Sequence, residues 1–177
     1  MLIKRISQDT VYSGKIFSIE ADLLEFPDGR KVSYELVKHN PSVTILPVDT
    51  EGLIYLVNQY RLGADRELLE LPAGVVEDGE DPQACALREI REEIGLASGK
   101  LTLLGQAYLI PGYGDELMYF YLAEELTPGH LNPDPDEFLR VERHAVAELF
   151  KLVDEGVIRD SKTLAALTLA RRYLSGW

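Results

Sequence analysis

Apolar residues fall along the chain in short runs separated by turn formers. Residues 16–26 and 31–38 are rich in β-forming side chains, and Asp28-Gly29 between them is a hairpin signal. A further strand is expected at 3–12. Pro41 breaks the chain, and Val43-Thr44-Ile45-Leu46-Pro47-Val48 reads as a buried strand. Asp49-Thr50-Glu51-Gly52 is a turn, and 53–60 is a second strand. Segment 70–80 holds two Gly and one Pro, so it reads as a loop with short extended pieces. Asp81-Pro82 opens a helix, with Asp as N-cap and Pro at the first helical position, and Gly95 closes it after about Ile94. Strands at 101–109 and 117–123 flank a loop, Pro111 to Glu116. Residues 127–137 carry three Pro and three acidic residues and form another loop. A short strand at 138–143 and helices at about 145–155 and 162–174 finish the chain, the last helix capped by Ser161 or Asp160. Strands, one helix, strands and two helices, in that order, predict an α+β fold rather than regular βαβ winding.

The helix at 82–94 has two unlike sides. Wound at about 100° per residue, it places Leu87, Ile90 and Ile94 on one side, with Ala84 near them. Glu89, Glu92 and Glu93 fall on an arc of about 100° on the other. Like charges at this spacing cost a few tenths of a kcal/mol per pair. They also sit in the C-terminal half, where the helix dipole disfavours anions. The face is therefore either solvated or occupied by a cation, and hard carboxylate oxygens suit Mg²⁺ or Mn²⁺.

Charge sharpens that choice. The 177 residues carry 30 Asp plus Glu against 18 Lys plus Arg, a formal net charge of −12. So acidic a surface repels nucleic-acid phosphates and anionic lipids, which argues against nucleic-acid or membrane partners. An anionic substrate would need a bound cation to reverse the local field. The single cysteine, Cys85, allows no intrachain disulfide, and no apolar run resembles a signal peptide or a bilayer span. A soluble, cytoplasmic protein is expected.

The residues from Gly74 to Leu96 read Gly74, five residues, Glu80, seven residues, then Arg88-Glu89-Ile90-Arg91-Glu92-Glu93-Ile94-Gly95-Leu96. They match without departure the Nudix box, GX5EX7REUXEEXGU with U aliphatic. At roughly 7% usage per fixed residue, a chance match per register is on the order of one in a billion. The chain thus resembles the Nudix hydrolase family, whose fold is a mixed β-sheet between helices. The resemblance implies Glu89, Glu92 and Glu93 as metal ligands, joined by the carbonyl of Ala73. Arg88 lies one turn before Glu92 and can pair with a neighbouring carboxylate, Glu80 being a candidate, and fix its orientation.

Four further features resemble the ADP-ribose pyrophosphatase branch and its nucleoside-diphosphate-sugar relatives. Residues 1–39 form a β-rich extension ahead of a hydrolase domain at 40–177, and in that branch such an extension pairs two subunits, so a homodimer is implied. The alternative is a sheet packed on its own subunit. Val57-Asn58-Gln59-Tyr60-Arg61 resembles the branch's strand ending in Gln-Tyr-Arg. It makes Arg61 a diphosphate or ribose contact, or else a partner of Glu67 or Glu70. Glu70-Leu71-Pro72-Ala73-Gly74 resembles the entrance to the branch's box and offers Glu70 for metal or substrate orientation. Pro111-Gly112 follows the box where the branch carries Ser-Pro-Gly, with Ile110 here in place of Ser, and implies a substrate-facing turn. The general base implied by the branch lies on an acidic loop. Glu137, within Asp134-Pro135-Asp136-Glu137, is the first candidate and Glu116 the second.

The implied activity is Mg²⁺-dependent hydrolysis of ADP-ribose to AMP and ribose 5-phosphate. A broader activity on ADP-sugars, GDP-mannose, NADH or diadenosine polyphosphates is the alternative. A non-catalytic nucleotide-sugar sensor is the remote one, and the intact box speaks against it.

Overall fold

The computed structural model describes residues 2–129 and 139–174. Three antiparallel strands come first: Lys4–Ser13 (β1), Phe17–Glu25 (β2) and Lys31–His39 (β3), in spatial order β1-β2-β3. Gly29, at φ 84°, takes the left-handed turn conformation that the Asp28-Gly29 signal anticipates. Then come Ser42–Pro47 (β4), Leu53–Arg61 (β5), Arg66–Glu70 (β6) and Ala73–Val75 (β7), followed by the helix Pro82–Glu93 (α1). Leu96–Tyr108 (β8) and Leu117–Pro128 (β9) form a long hairpin. Arg140–Ala145 (β10), Val146–Asp154 (α2) and Ser161–Leu174 (α3) complete the described chain.

The central sheet is mixed, in order β7-β4-β9-β8, with β4 and β9 parallel and the other pairs antiparallel. The period of two along its strands feeds two cores. Val43, Ile45, Tyr121 and Ala123 point to one face and pack with Cys85, Ala86 and Ile90 of α1. Leu46, Phe120 and Leu122 point to the other and pack with Leu149 of α2 and with Ala166, Leu167 and Ala170 of α3. The sheet is thus buried between helices, as expected for an α+β layer fold. A third sheet, β10-β5-β6, closes one end. No helix among the described residues is long and apolar enough to cross a membrane.

The structure departs from the sequence pattern in three places. Strand β6 was not anticipated; it forms because Asp65, at φ 51°, turns the chain so that Arg66–Glu70 pairs back on β5. Strands β8 and β9 are longer than the apolar pattern because Gly95, at φ 70°, sends the chain directly from α1 into β8. On α1, Leu87 is only half-buried and Ala84 is exposed, while Cys85, Ala86 and Ile90 are fully buried and Ile94 packs at the edge. The helix packs its apolar side on β4 and β8 and lays the Glu89 carboxylate against Gly74 of β7, so its buried arc is wider than its apolar stripe.

Helix α3 is held by its cap. Asp160 Oδ2 accepts from the backbone N of Thr163 at 2.9 Å and from its hydroxyl at 2.7 Å. That hydroxyl in turn accepts from Leu71 N at 2.9 Å, tying α3 to the end of β6. Burial alone would raise the Asp160 pKa, but Lys162 and the Thr163 donors outweigh it and bring it below the usual carboxylate range. The sign follows from linkage. A lowered folded pKa adds stability above the unfolded value of about 3.9, and that stability is lost as pH falls through the folded value. Asp160→Asn should therefore destabilise at pH 7 and make the acid limb of the stability curve shallower, as urea unfolding at pH 7 and at pH 3 will show.

Candidate active site

Strand β7 and the helix α1 are built around one close approach. A Cβ added to Gly74 would lie 1.9 Å from Oε1 of Glu89, so only glycine lets this carboxylate lie against the chain. Asp81 caps α1, accepting from Gln83 N at 2.9 Å and Ala84 N at 3.3 Å. Glu93 reaches back from the last turn and accepts from Ala73 N at 3.1 Å. Glu89 and Glu93 are buried, at 7% and 5% exposure, which is rare for carboxylates.

Arg88 holds this cluster together. Its Nε and Nη2 donate to the two oxygens of Glu80, each at 3.0 Å. Its Nη1 donates to Glu89 at 2.6 Å and to Glu92 at 2.9 Å. Nη2 also meets the Val75 carbonyl at 3.2 Å. The hydrogen bond from Arg88 lowers the Glu80 pKa, and Glu80 in turn raises that of Arg88. Cys85 is fully buried, and desolvation pushes its thiol pKa well up, so it packs rather than reacts.

These groups wall a cavity of about 660 Å³ lined by Ala73, Gly74, Arg88, Glu89 and Glu92. The same cavity receives Glu116, whose Oε1 accepts from Ser42 Oγ at 2.8 Å and lies 3.8 Å from His39 Nδ1. Beside it, Asp115 would have its pKa raised by burial, but the bond from Lys38 and the His39 backbone N–H at 3.0 Å bring it below normal. Arg61 also lines the cavity and is engaged with Glu70, not Glu67: Nε lies 3.1 Å from each Glu70 oxygen and Nη2 is 2.7 Å from Oε2. Glu70 is 1% exposed, so it faces Arg61 from beneath instead of opening to solvent. Pro111 and Gly112 are exposed and do not line this cavity. Glu137 lies outside the described residues.

Lys162, Ser42 and Glu77 line the cavity as well and were not singled out from the sequence. One signal could have marked Lys162: it is a cation in the first turn of a helix, where the dipole is unfavourable.

A divalent cation fits the donor set. The oxygens of Glu89 and Glu92 are hard ligands facing one cavity, and the glycine cradle at Gly74 holds one of these carboxylates against the backbone. Among the described residues no three acidic, His or Cys side chains are gathered as a ready-made cation cage. The Arg88 guanidinium lies between Glu89 and Glu92 and supplies the positive charge there. Gly74→Ala tests the cradle. The added methyl must displace the end of a flexible side chain, so the melting temperature should change little while activity falls at least about tenfold and the cation requirement rises. Unchanged turnover at limiting cation would dismiss the cradle.

The family model of the NUDIX domain matches residues 38–167. The chain is 37% identical over 166 residues to an ADP-ribose pyrophosphatase of Bacillus subtilis, covering 93% of this chain and 90% of that protein. It is 32% identical over 166 residues to a methanol dehydrogenase activator of Bacillus methanolicus, with the same coverages. A crystal structure of an ADP compounds hydrolase superposes with a TM-score of 0.89 at 27% identity, covering 99% of this chain and 96% of that one.

Proposed function

The chain belongs to the NUDIX domain family, and on that premise we propose that it hydrolyses ADP-ribose to AMP and ribose 5-phosphate with Mg²⁺, or Mn²⁺ in its place. The observation that carries this reading is the placement of Glu89 and Glu92 in one cavity with the cation Arg61, in a chain so similar to an ADP-ribose pyrophosphatase. Glu89, Glu92, Glu93 and the Ala73 carbonyl would hold the cation. When bound, it neutralises the diphosphate and lowers the pKa of a coordinated water. Arg88 keeps Glu89 and Glu92 in place through its fork on Glu80. Arg61 meets the diphosphate oxygens with donors that Glu70 does not use. The turn at Pro111-Gly112 closes over the substrate, and Glu137, or failing it Glu116, takes the proton from the attacking water.

The name of the structural neighbour favours a second, broader reading, hydrolysis of several ADP compounds. A panel of ADP-ribose, other ADP-sugars, GDP-mannose, NADH and diadenosine polyphosphates with Mg²⁺, its products resolved by chromatography, separates the two. AMP and ribose 5-phosphate from ADP-ribose, formed faster than any other product, support the first. No hydrolysis of ADP-ribose overturns the first, and no hydrolysis of any compound of the panel overturns both.

We also propose a homodimer through residues 1–39. Every residue of β1 is exposed, and Ile6, Val11, Tyr12 and Phe17 add apolar surface at 40–62% exposure. A three-stranded sheet with so much bare apolar surface is stabilised by covering it. Sedimentation velocity at micromolar concentration should give a dimer, and a monomer there would refute the assignment.

A further inference from the structure

Behind the cavity lies a chain of four charges drawn from three elements. Arg61 ends β5, Glu70 ends β6, and Asp160 and Lys162 stand at the start of α3. Lys162 is 8% exposed, an uncommon burial for a lysine, and it lines the same cavity as Arg61. Its Nζ donates to Oε2 of Glu70 and lies 2.9 Å from Oδ2 of Asp160. Arg61 Nη2 donates to that same Glu70 oxygen. Two cations thus share one buried carboxylate.

We propose that Lys162 is a positioning residue for diphosphate binding: by sharing Glu70 with Arg61, it sets the attitude of the Arg61 guanidinium toward the cavity. The argument is one of competing claims on a carboxylate. Arg61 commits Nε and Nη2 to Glu70, while its Nη1 bonds no described residue and remains for an anionic ligand. If Lys162 loses its charge, Glu70 keeps a single cation. The guanidinium then settles fully onto it, because a buried carboxylate draws in whatever donors it has. Donors withdrawn toward Glu70 are lost to the ligand. Asp160 guards against the opposite error. It holds Lys162 from the α3 side, so the ammonium does not itself swing out to the phosphates. The pair of contacts, one to β6 and one within α3, gives the lysine a single place to be.

This inference rests on the reading of Arg61 as a diphosphate contact, and the experiment separates the two. KM and kcat are measured with Mg²⁺ for the wild type, Lys162→Met, Arg61→Met and the double variant. The substrate is whichever compound of the panel the wild type cleaves fastest. Arg61 binds ground state and transition state alike, so Lys162→Met should raise KM about tenfold or more with kcat little changed. The double variant should be no worse than Arg61→Met alone, because the lysine acts only through the arginine. Thermal melting checks that each variant is folded. If Lys162→Met does not fold, Lys162→Gln replaces it, keeping an N–H for Glu70 without the charge. An unchanged KM for Lys162→Met, with or without a lower kcat, or effects that multiply in the double variant, would show that Lys162 does not act through Arg61 and overturn the proposal. An Arg61→Met enzyme with wild-type KM would overturn the reading of Arg61 and the inference with it.

Discussion

Glu93→Gln should leave the protein folded and remove most of its turnover at limiting Mg²⁺. Glu93 is 5% exposed, and its carboxylate accepts the backbone N–H of Ala73 at 3.1 Å. Glutamine has the same shape and can still accept that bond through its amide oxygen, so the turn before the box should hold. What changes is charge. A site built from carboxylates binds hard cations through the number of its anionic oxygens. The expected loss is at least a hundredfold in kcat, on the order of 3 kcal/mol of transition-state stabilisation. Raising Mg²⁺ should recover part of it, since weaker binding is met by mass action. Wild-type turnover for Glu93→Gln at limiting Mg²⁺, with an unchanged melting temperature, would remove Glu93 from the metal site.

The residues around this glutamate show what a sequence carries and what it does not. Helix α1 was legible to within a residue because its signals are local. Asp81 caps it through Gln83 and Ala84, and Gly95 ends it at φ 70°. The partnership of Arg88 with Glu80 was legible as well, because they lie only eight positions apart, across one helix start. The choice between Glu67 and Glu70 for Arg61 was not. It depends on the register of β6 against β5, which sets Arg61 opposite Arg66 and Val57 opposite Glu70. Lys162 was missed for a stronger reason. Its partner Glu70 is 92 positions away, on a strand that the apolar pattern does not announce. Periodicity reads the face a residue occupies; it does not read which distant charge will be waiting there.

The same limit applies to the general base, and a pair of variants decides it. Two loop glutamates compete. Glu116 has a known place: it lines the cavity, but its carboxylate is engaged by Ser42 Oγ at 2.8 Å with His39 near by. A base must offer a free lone pair to water within hydrogen-bond reach, and an engaged carboxylate offers less. Glu137 lies outside the described residues, and its claim rests on its resemblance to the acidic segment of the branch. Glu137→Gln should change stability by no more than about 0.5 kcal/mol, as ordinary surface substitutions do. It should cut kcat by roughly 10²–10⁴, the usual contribution of general acid–base catalysis. KM should hardly move, because a base acts in the transition state more than in the ground state. Glu116→Gln should lose far less, chiefly through the wall it builds with Ser42. The reverse pattern, a near-wild-type Glu137→Gln beside a Glu116→Gln that loses kcat at constant KM, assigns the base to the loop between β8 and β9. If both variants turn over normally, no loop carboxylate is needed, and the proton passes to a box glutamate instead. Glu92 is then the acceptor, because it lines the cavity and is less buried than Glu89.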